Sequence, residues 1–291
     1  MSQAQPSSTS TSDHSATKPD LQAQLLSKMR QLIEQQELNA RLLIRRDLEL
    51  TRANERLRTL DQMKTDFVSV ATHQMRTPLS GIRWTLSMLL QGDLGVLNNE
   101  QKAFLMKAYE SNDRMITLLD DMLFSDRIES GKIAITDEVA YAPDLIDNIL
   151  VEIQPIAGKR SVKLNFIRPQ GDLPKIKIAP QHLRAILQNL IENAIKYSKE
   201  GGVVTIELAM HEGVLRICVS DTGIGIAADQ QDKVFSRFFR APNAVKMETD
   251  GSGLGLFIVK SIAEKHFGKA WFESKEGEGS TFFVELPIAT K

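Results

Sequence analysis

The sequence has 291 residues, 42% apolar and 25% charged, so it can hold more than one compact domain and is neither wholly disordered nor collagen-like. Its 36 basic and 37 acidic residues leave a net charge of −1, which gives no general attraction to nucleic acid or to an anionic membrane. A single cysteine, Cys218, excludes an intrachain disulfide framework and suits a reducing compartment. No apolar run reaches the roughly 20 residues of a spanning helix, and the N-terminus lacks the order of a signal peptide. The expected location is cytoplasmic, for a whole protein or for the cytoplasmic part of a larger one.

Residues 1–19 are rich in Ser and Thr and have almost nothing to bury, so a disordered tail with a solvated His14 is expected. From Asp20 the pattern is helical, without Gly or Pro, up to Pro78. Met29, Leu43, Leu50 and Leu57 fill one core position of a heptad, and Leu25, Leu32, Ala53, Leu60 and Phe67 fill the other. Gln36, Asn39 and Arg46 interrupt this seam. A helix this long with little beside it to pack on suggests a parallel dimeric coiled coil over 20–60; a solvated helix lying on its own protein is the alternative.

The seam runs on into "MKTDFVSVATHQMRTPLSGIRWTLSMLL", where Pro78 predicts a bend near Thr77. "QGDLGVLNN" breaks the helix. A second amphipathic helix follows, with Phe104, Leu105, Ala108, Met115, Leu118, Leu119 and Met122 as apolar candidates. One such hairpin leaves an apolar stripe bare and two make a four-helix bundle, so 61–130 reads as a dimerisation hairpin. After Gly131 strand-like runs appear: "KIAIT", "VKLNFI", "KIKIA", "VVTIELAM", "VLRICVSD", "KAWFES" and "STFFVELP". Helical runs intervene at 143–157, 181–197 and 254–267. The fold class expected for 131–291 is α+β: a mixed sheet with helices on one face, after an all-helical N-terminal region. Cys218, within such a strand, is expected to be an inert thiol.

Three stretches of the second domain carry chemistry. If 188–198 is helix, Asn189, Asn193, Lys196 and Tyr197 share one face, an odd set of two amides, an ammonium and a phenol in an apolar helix. In "DTGIGI", Asp221 at a strand end can accept from an amine, and Gly223 and Gly225 let backbone approach a flat ligand. In "GSGLGLFIVKSIAEKH", Gly251, Gly253 and Gly255 open a helix whose free N–H groups can face phosphate. No Gly-Lys-Ser/Thr follows, so this is not a Walker loop, and no strand precedes it, so it is a poor dinucleotide fingerprint.

In this order, with "KVFSRFFR" between the second and third, the stretches resemble the catalytic ATP-binding domain of sensor histidine kinases, a fold shared with DNA gyrase. The resemblance covers about residues 61–291. It implies ATP and Mg²⁺ as ligands, with Asn193 holding the metal and Asn189 supporting the metal–phosphate site. It further implies Lys196 on phosphate, Tyr197 against adenine, Asp221 on the adenine amino group and Arg240 on the γ-phosphate. Phe235, Phe238 and Phe239 would anchor a lid over 241–250, and the three loop glycines would shape the phosphate end.

A lone helical histidine is ordinarily structural, but "HQMRTPL" resembles the family's phosphoacceptor box at every fixed position except one. His73 would be the phosphorylated residue, and Thr77, one turn on, would orient water for dephosphorylating a partner response regulator. The family carries an acidic residue where this chain has Gln74. A glutamine can accept a hydrogen bond from the imidazole but cannot take its proton. The deficit is about 1–1.5 kcal/mol, or about tenfold in rate; complete loss of general-base help would reach roughly 10²–10⁴-fold. Three readings follow: a homodimeric ATP-dependent histidine kinase acting on a response regulator, the same enzyme biased toward phosphatase activity, and an ATP-binding dimeric scaffold. A gyrase-type ATPase is disfavoured by the His73 box. Input would come from an upstream sensor segment or partner; nucleic acid is not expected as a partner, nor a membrane span. His182, His211 and His266 lack partners at metal-ligand spacing and read as structural, and Trp84 and Trp271 as packing residues.

Overall fold

The structure, a computed structural model, describes residues 18–130, 138–169, 171, 173–249 and 251–288. Most of the expected tail and the "KIAIT" run lie outside the described residues. The chain divides into two compact units at Lys64/Thr65.

In the first unit, helix α1 (Lys18–Gln91) begins, and every described side chain up to Lys64 is exposed. The seam residues Met29, Leu43, Leu50 and Leu57 are 55%, 69%, 63% and 63% exposed, so burying them requires a partner from outside this stretch. An i,i+4 pair, Arg45–Glu49 at 3.1 Å, adds local helix support.

In the second unit α1 continues through Pro78, whose missing N–H deprives the Gln74 carbonyl of its intrahelical donor. Helix α2 (Asn99–Glu129) opens on a capping box: Asn98 accepts from the Gln101 backbone at 2.8 Å, and the Gln101 side chain accepts from the Asn98 backbone at 3.0 Å. The hairpin is pinned by polar contacts. Arg83 reaches Asp113 at 3.1 Å and the Tyr109 hydroxyl at 3.2 Å, Arg76 pairs with Asp120, and buried Asn112 donates to the Leu79 carbonyl at 3.0 Å. Phe67, Val70 and Ile82 of α1 and Phe104 of α2 stay 75%, 61%, 48% and 68% exposed, leaving an apolar stripe for a second helical layer.

The remaining elements are α3 (Ala142–Lys159), β1 (Lys163–Ile167), α4 (Pro180–Tyr197), β2 (Val203–His211), β3 (Val214–Asp221), α5 (Pro242–Met247), α6 (Gly255–Lys265), β4 (Lys269–Lys275) and β5 (Gly279–Pro287). The strands form one mixed sheet, ordered β1-β2-β3-β5-β4, parallel only between β1 and β2. Alternation sets its two faces. Ile206, Val219 and Phe282 lie in one cross-strand row, Leu208, Ile217 and Val284 in the next, and these rows carry the core face. Buried residues of α3, α4 and α6, including Ile146, Leu187, Ile191 and Val259, join them in one core. The opposite face carries Arg216, Glu285 and Trp271, which stacks on Phe283 at 5.1 Å.

The expected α+β layer is therefore present, but "KIKIA" is not a strand. Ile176 makes single bridges to Ala140 and Ile288, and the Ile178 N–H then turns back onto the Ile176 carbonyl, so the chain bends before a ladder can extend. Trp84, expected to pack, is 66% exposed on α1. No described helix is long and apolar enough to cross a membrane.

Candidate nucleotide site and phosphoacceptor histidine

Helix α4 turns its apolar positions, Leu187, Leu190, Ile191 and Ile195, into the core. That leaves Asn189, Asn193, Lys196 and Tyr197 along one wall of a cavity of about 860 Å³. The Asn189 amide donates to the Ala185 carbonyl at 2.8 Å, which fixes its orientation. Its oxygen faces Gly255, where a Cβ would collide with it, so a side chain there would have to displace the Asn189 amide. Lys196 pairs with Glu192 at 3.3 Å at the cavity wall.

Asp221 ends β3, buried. Its Oδ1 accepts from the backbone N–H of Gly223 at 2.8 Å and of Ser280 at 3.3 Å. Burial nonetheless outweighs these bonds and pushes its pKa up to about 6. Gly225 lines the cavity with φ +62°, and a Cβ there would meet the Lys275 carbonyl. Gly223 does not line the cavity; it packs against the Tyr197 carbonyl and orients Asp221.

The glycine loop and lid close the far side. Gly251, Gly253 and Gly255 all line the cavity. Arg240 lines it too, and its guanidinium holds the lid's end, donating to the carbonyls of Glu248, Thr249 (2.8 Å) and Gly251 (3.4 Å). Its buried Nε has no hydrogen-bond partner among the described residues. Of the three expected lid anchors, Phe239 lines the cavity and Phe235 packs on Phe272 at 5.8 Å. Phe238 is instead 55% exposed at φ +59°, contributing backbone against Gly253.

A further wall comes from α2, through Arg114, Met115, Leu118 and Asp121. Ser252, between two loop glycines, donates to Asp121 Oδ2 at 3.2 Å. Burial raises the Asp121 pKa, the Ser252 bond lowers it, and Glu192 adds a like-charge push upward. Asp121, Glu192, Ser252 and Arg160 are site residues that the sequence reading missed; only Ser252, framed by Gly251 and Gly253, carried a local signal.

His73, Gln74 and Thr77 are exposed on α1 and do not line the cavity. The Thr77 hydroxyl donates to the His73 carbonyl at 3.4 Å, so it lies one turn along the same face. The structure thus gathers the residues expected at a nucleotide site, apart from Gly223, around one cavity, and keeps His73, Gln74 and Thr77 separate from them. Elsewhere, His182 Nδ1 and His266 Nε2 lie 3.2 Å apart in the interior, where burial lowers the pKa of both rings. Partial burial raises the Cys218 thiol in the same way.

Two family models match the chain: "Histidine kinase-, DNA gyrase B-, and HSP90-like ATPase" over residues 178–290, and "His Kinase A (phospho-acceptor) domain" over residues 63–131. The chain belongs to the sensor histidine kinases. Sensor histidine kinase WalK of Bacillus subtilis is 35% identical over 78% of this chain and 37% of its own length. Sensor histidine kinase RppB of Synechocystis is 34% identical over 78% of this chain and 50% of its own. This histidine kinase chain thus spans half or less of the length of either relative. Among solved structures, full-length ShkA in complex with AMPPNP matches with a TM-score of 0.63 and 28% identity over 78% of this chain and 46% of that one. Acinetobacter baumannii AdeS, 18% identical with a TM-score of 0.53, shares the fold.

Proposed function

We propose that this chain is an ATP-dependent protein-histidine kinase that phosphorylates His73 and passes the phosphoryl group to an aspartate of a response regulator. The observation that carries this reading is the cavity itself: it unites the α4 face, Asp221 and the glycine loop in the chain that also presents an exposed His73 in a phosphoacceptor helix. A family relative, ShkA, is known in complex with an ATP analogue.

Asp221 takes the adenine amino group through the carboxylate oxygen not already committed to Gly223 and Ser280, and Tyr197 covers the ring. The N-terminus of α6 and Lys196 face the phosphates. The donor set suits Mg²⁺, a hard cation that takes oxygen ligands and keeps waters. Asn193 would hold it, with Asn189 beside it, and bound Mg²⁺ supplies charge neutralisation to the phosphates. A neutral ring nitrogen of His73 forms the new P–N bond as the bond from phosphorus to the bridging oxygen breaks and ADP leaves. Gln74 orients the ring by accepting a hydrogen bond, without taking its proton. Thr77 is placed to orient water in the reverse, phosphatase direction.

In the present arrangement α2, rather than His73, walls the cavity, so transfer requires the ATP-binding layer to move relative to the hairpin. The exposed heptad seam and hairpin stripe fit a homodimer, which sedimentation at micromolar concentration tests. For the activity itself, the chain is incubated with labelled ATP and Mg²⁺. An acid-labile, base-stable phosphate on the wild type, absent from His73→Ala, supports the kinase; nucleotide binding without label supports the scaffold.

A further inference from the structure

Arg160 caps the C-terminus of α3, far in sequence from every nucleotide box, yet it lines the cavity. Its guanidinium makes two contacts. One nitrogen donates to the Lys196 carbonyl at 3.0 Å, in the last turn of α4 just before Tyr197. The other pairs with the Glu248 carboxylate, at the C-cap of the lid helix α5. The Glu248 side chain is 16% exposed, so this pair is shielded more than an ordinary surface ion pair.

Glu248 is held from both ends. Its carboxylate belongs to Arg160, and its backbone carbonyl accepts from Arg240. Arg240 cannot serve the lid carbonyls and a phosphate at once with the same nitrogens. When it turns to the nucleotide, the Glu248 side chain still holds the Arg160 contact. That contact is anchored on the helix that carries Asn189, Asn193, Lys196 and Tyr197, so it ties the lid to the nucleotide-binding wall directly.

We propose that Arg160 is a lid-positioning residue, whose pair with Glu248 keeps the lid seated on α4 while Arg240 engages the phosphates and thereby slows nucleotide release. The inference rests on the nucleotide-site reading above. A planar guanidinium suits the task because it can bridge a carbonyl and a carboxylate simultaneously, which one ammonium does less well.

The test uses the full chain with Mg²⁺ and the non-hydrolysable triphosphate methylanthraniloyl-AMPPNP, and the variants Arg160→Met, Arg160→Lys, Glu248→Gln and the double R160M/E248Q. Dissociation rate, tryptic cleavage after Lys246 in the lid, and melting temperature are measured for each. Arg160→Met and Glu248→Gln should each speed dissociation about three- to fivefold and expose Lys246. The double variant should be no worse than either single one, and Arg160→Lys should retain part of the effect. Unchanged dissociation in both single variants, or fully additive effects in the double, would overturn the role. A melting-temperature loss without faster release would make Arg160 merely structural, also overturning it. A wild-type chain that binds no methylanthraniloyl-AMPPNP would instead refute the nucleotide-site reading, and this inference with it.

Discussion

Asp120 and Asp121 are neighbours on α2 with opposite partners: Asp120 pairs with Arg76 of the histidine box, and Asp121 accepts from Ser252 of the glycine loop at 3.2 Å. Two consecutive carboxylates thus connect the helix that carries His73 and the glycine loop of the cavity through one turn of helix.

The Asp121 contact has a cost for the ligand. A carboxylate on the wall of a triphosphate site repels the phosphates, and it is partly desolvated there. Asp121→Asn should therefore tighten ATP binding by about three- to tenfold, most clearly at low salt. Isothermal titration checks this, and weaker binding would show that the bridge to Ser252 organises the loop for nucleotide.

Asp221 predicts a pH dependence whose two halves run in opposite directions. Its pKa of about 6 lies above the ordinary carboxylate value because of burial. The folded chain thus holds this proton more tightly than the unfolded one. The stability penalty from Asp221 is present in full above about pH 6 and is relieved as pH falls toward the ordinary value. If Asp221 accepts from the adenine amino group, it does so ionised, and ATP affinity should drop as pH falls through about 6. Comparing affinities from pH 7.5 to 5.5 with Asp221→Asn removes the titration of ATP itself; equal slopes in the two proteins would contradict the assignment.

Gly225 is a test of backbone approach. At φ +62°, with the Lys275 carbonyl where a Cβ would stand, Gly225→Ala should cost about 2–4 kcal/mol and lower the melting temperature by roughly 5–10 °C. Gly81→Ala on α1, with open space at its Cβ and no positive φ, should cost nothing measurable and serves as the control.

Much of the nucleotide wall was legible because chemistry-bearing residues recur at helical spacing within one element, as with Asn189, Asn193, Lys196 and Tyr197. The core face of the sheet was legible for the same kind of reason, since alternation in "VLRICVSD" separates Leu215, Ile217 and Val219 from Arg216 and Cys218. What sequence did not disclose are contacts between distant segments: Ser252 meets Asp121 across 131 residues, and Arg160 meets Glu248 across 88. "KIKIA" misled because alternation reports two faces without reporting a neighbouring strand. Trp84 misled because size alone does not say which side of a helix meets its partner.

By the proposed reading, Gln74 limits the rate at which His73 is phosphorylated. It stands exposed beside His73, where the family resemblance implies an acidic residue. Gln74→Glu should raise the autophosphorylation rate about tenfold by restoring a charged partner to the imidazole. A single-turnover time course measures it, and an unchanged rate would show that domain movement, rather than chemistry, is limiting.

The most direct measurement is the site and stability of phosphate after incubation with ATP and Mg²⁺. The expected result is one acid-labile, base-stable phosphoryl group on His73, lost in His73→Ala and in Asn193→Ala, with nucleotide binding retained in the former. Phosphate at any other residue, or ATP turnover with His73 unlabelled, would contradict the account.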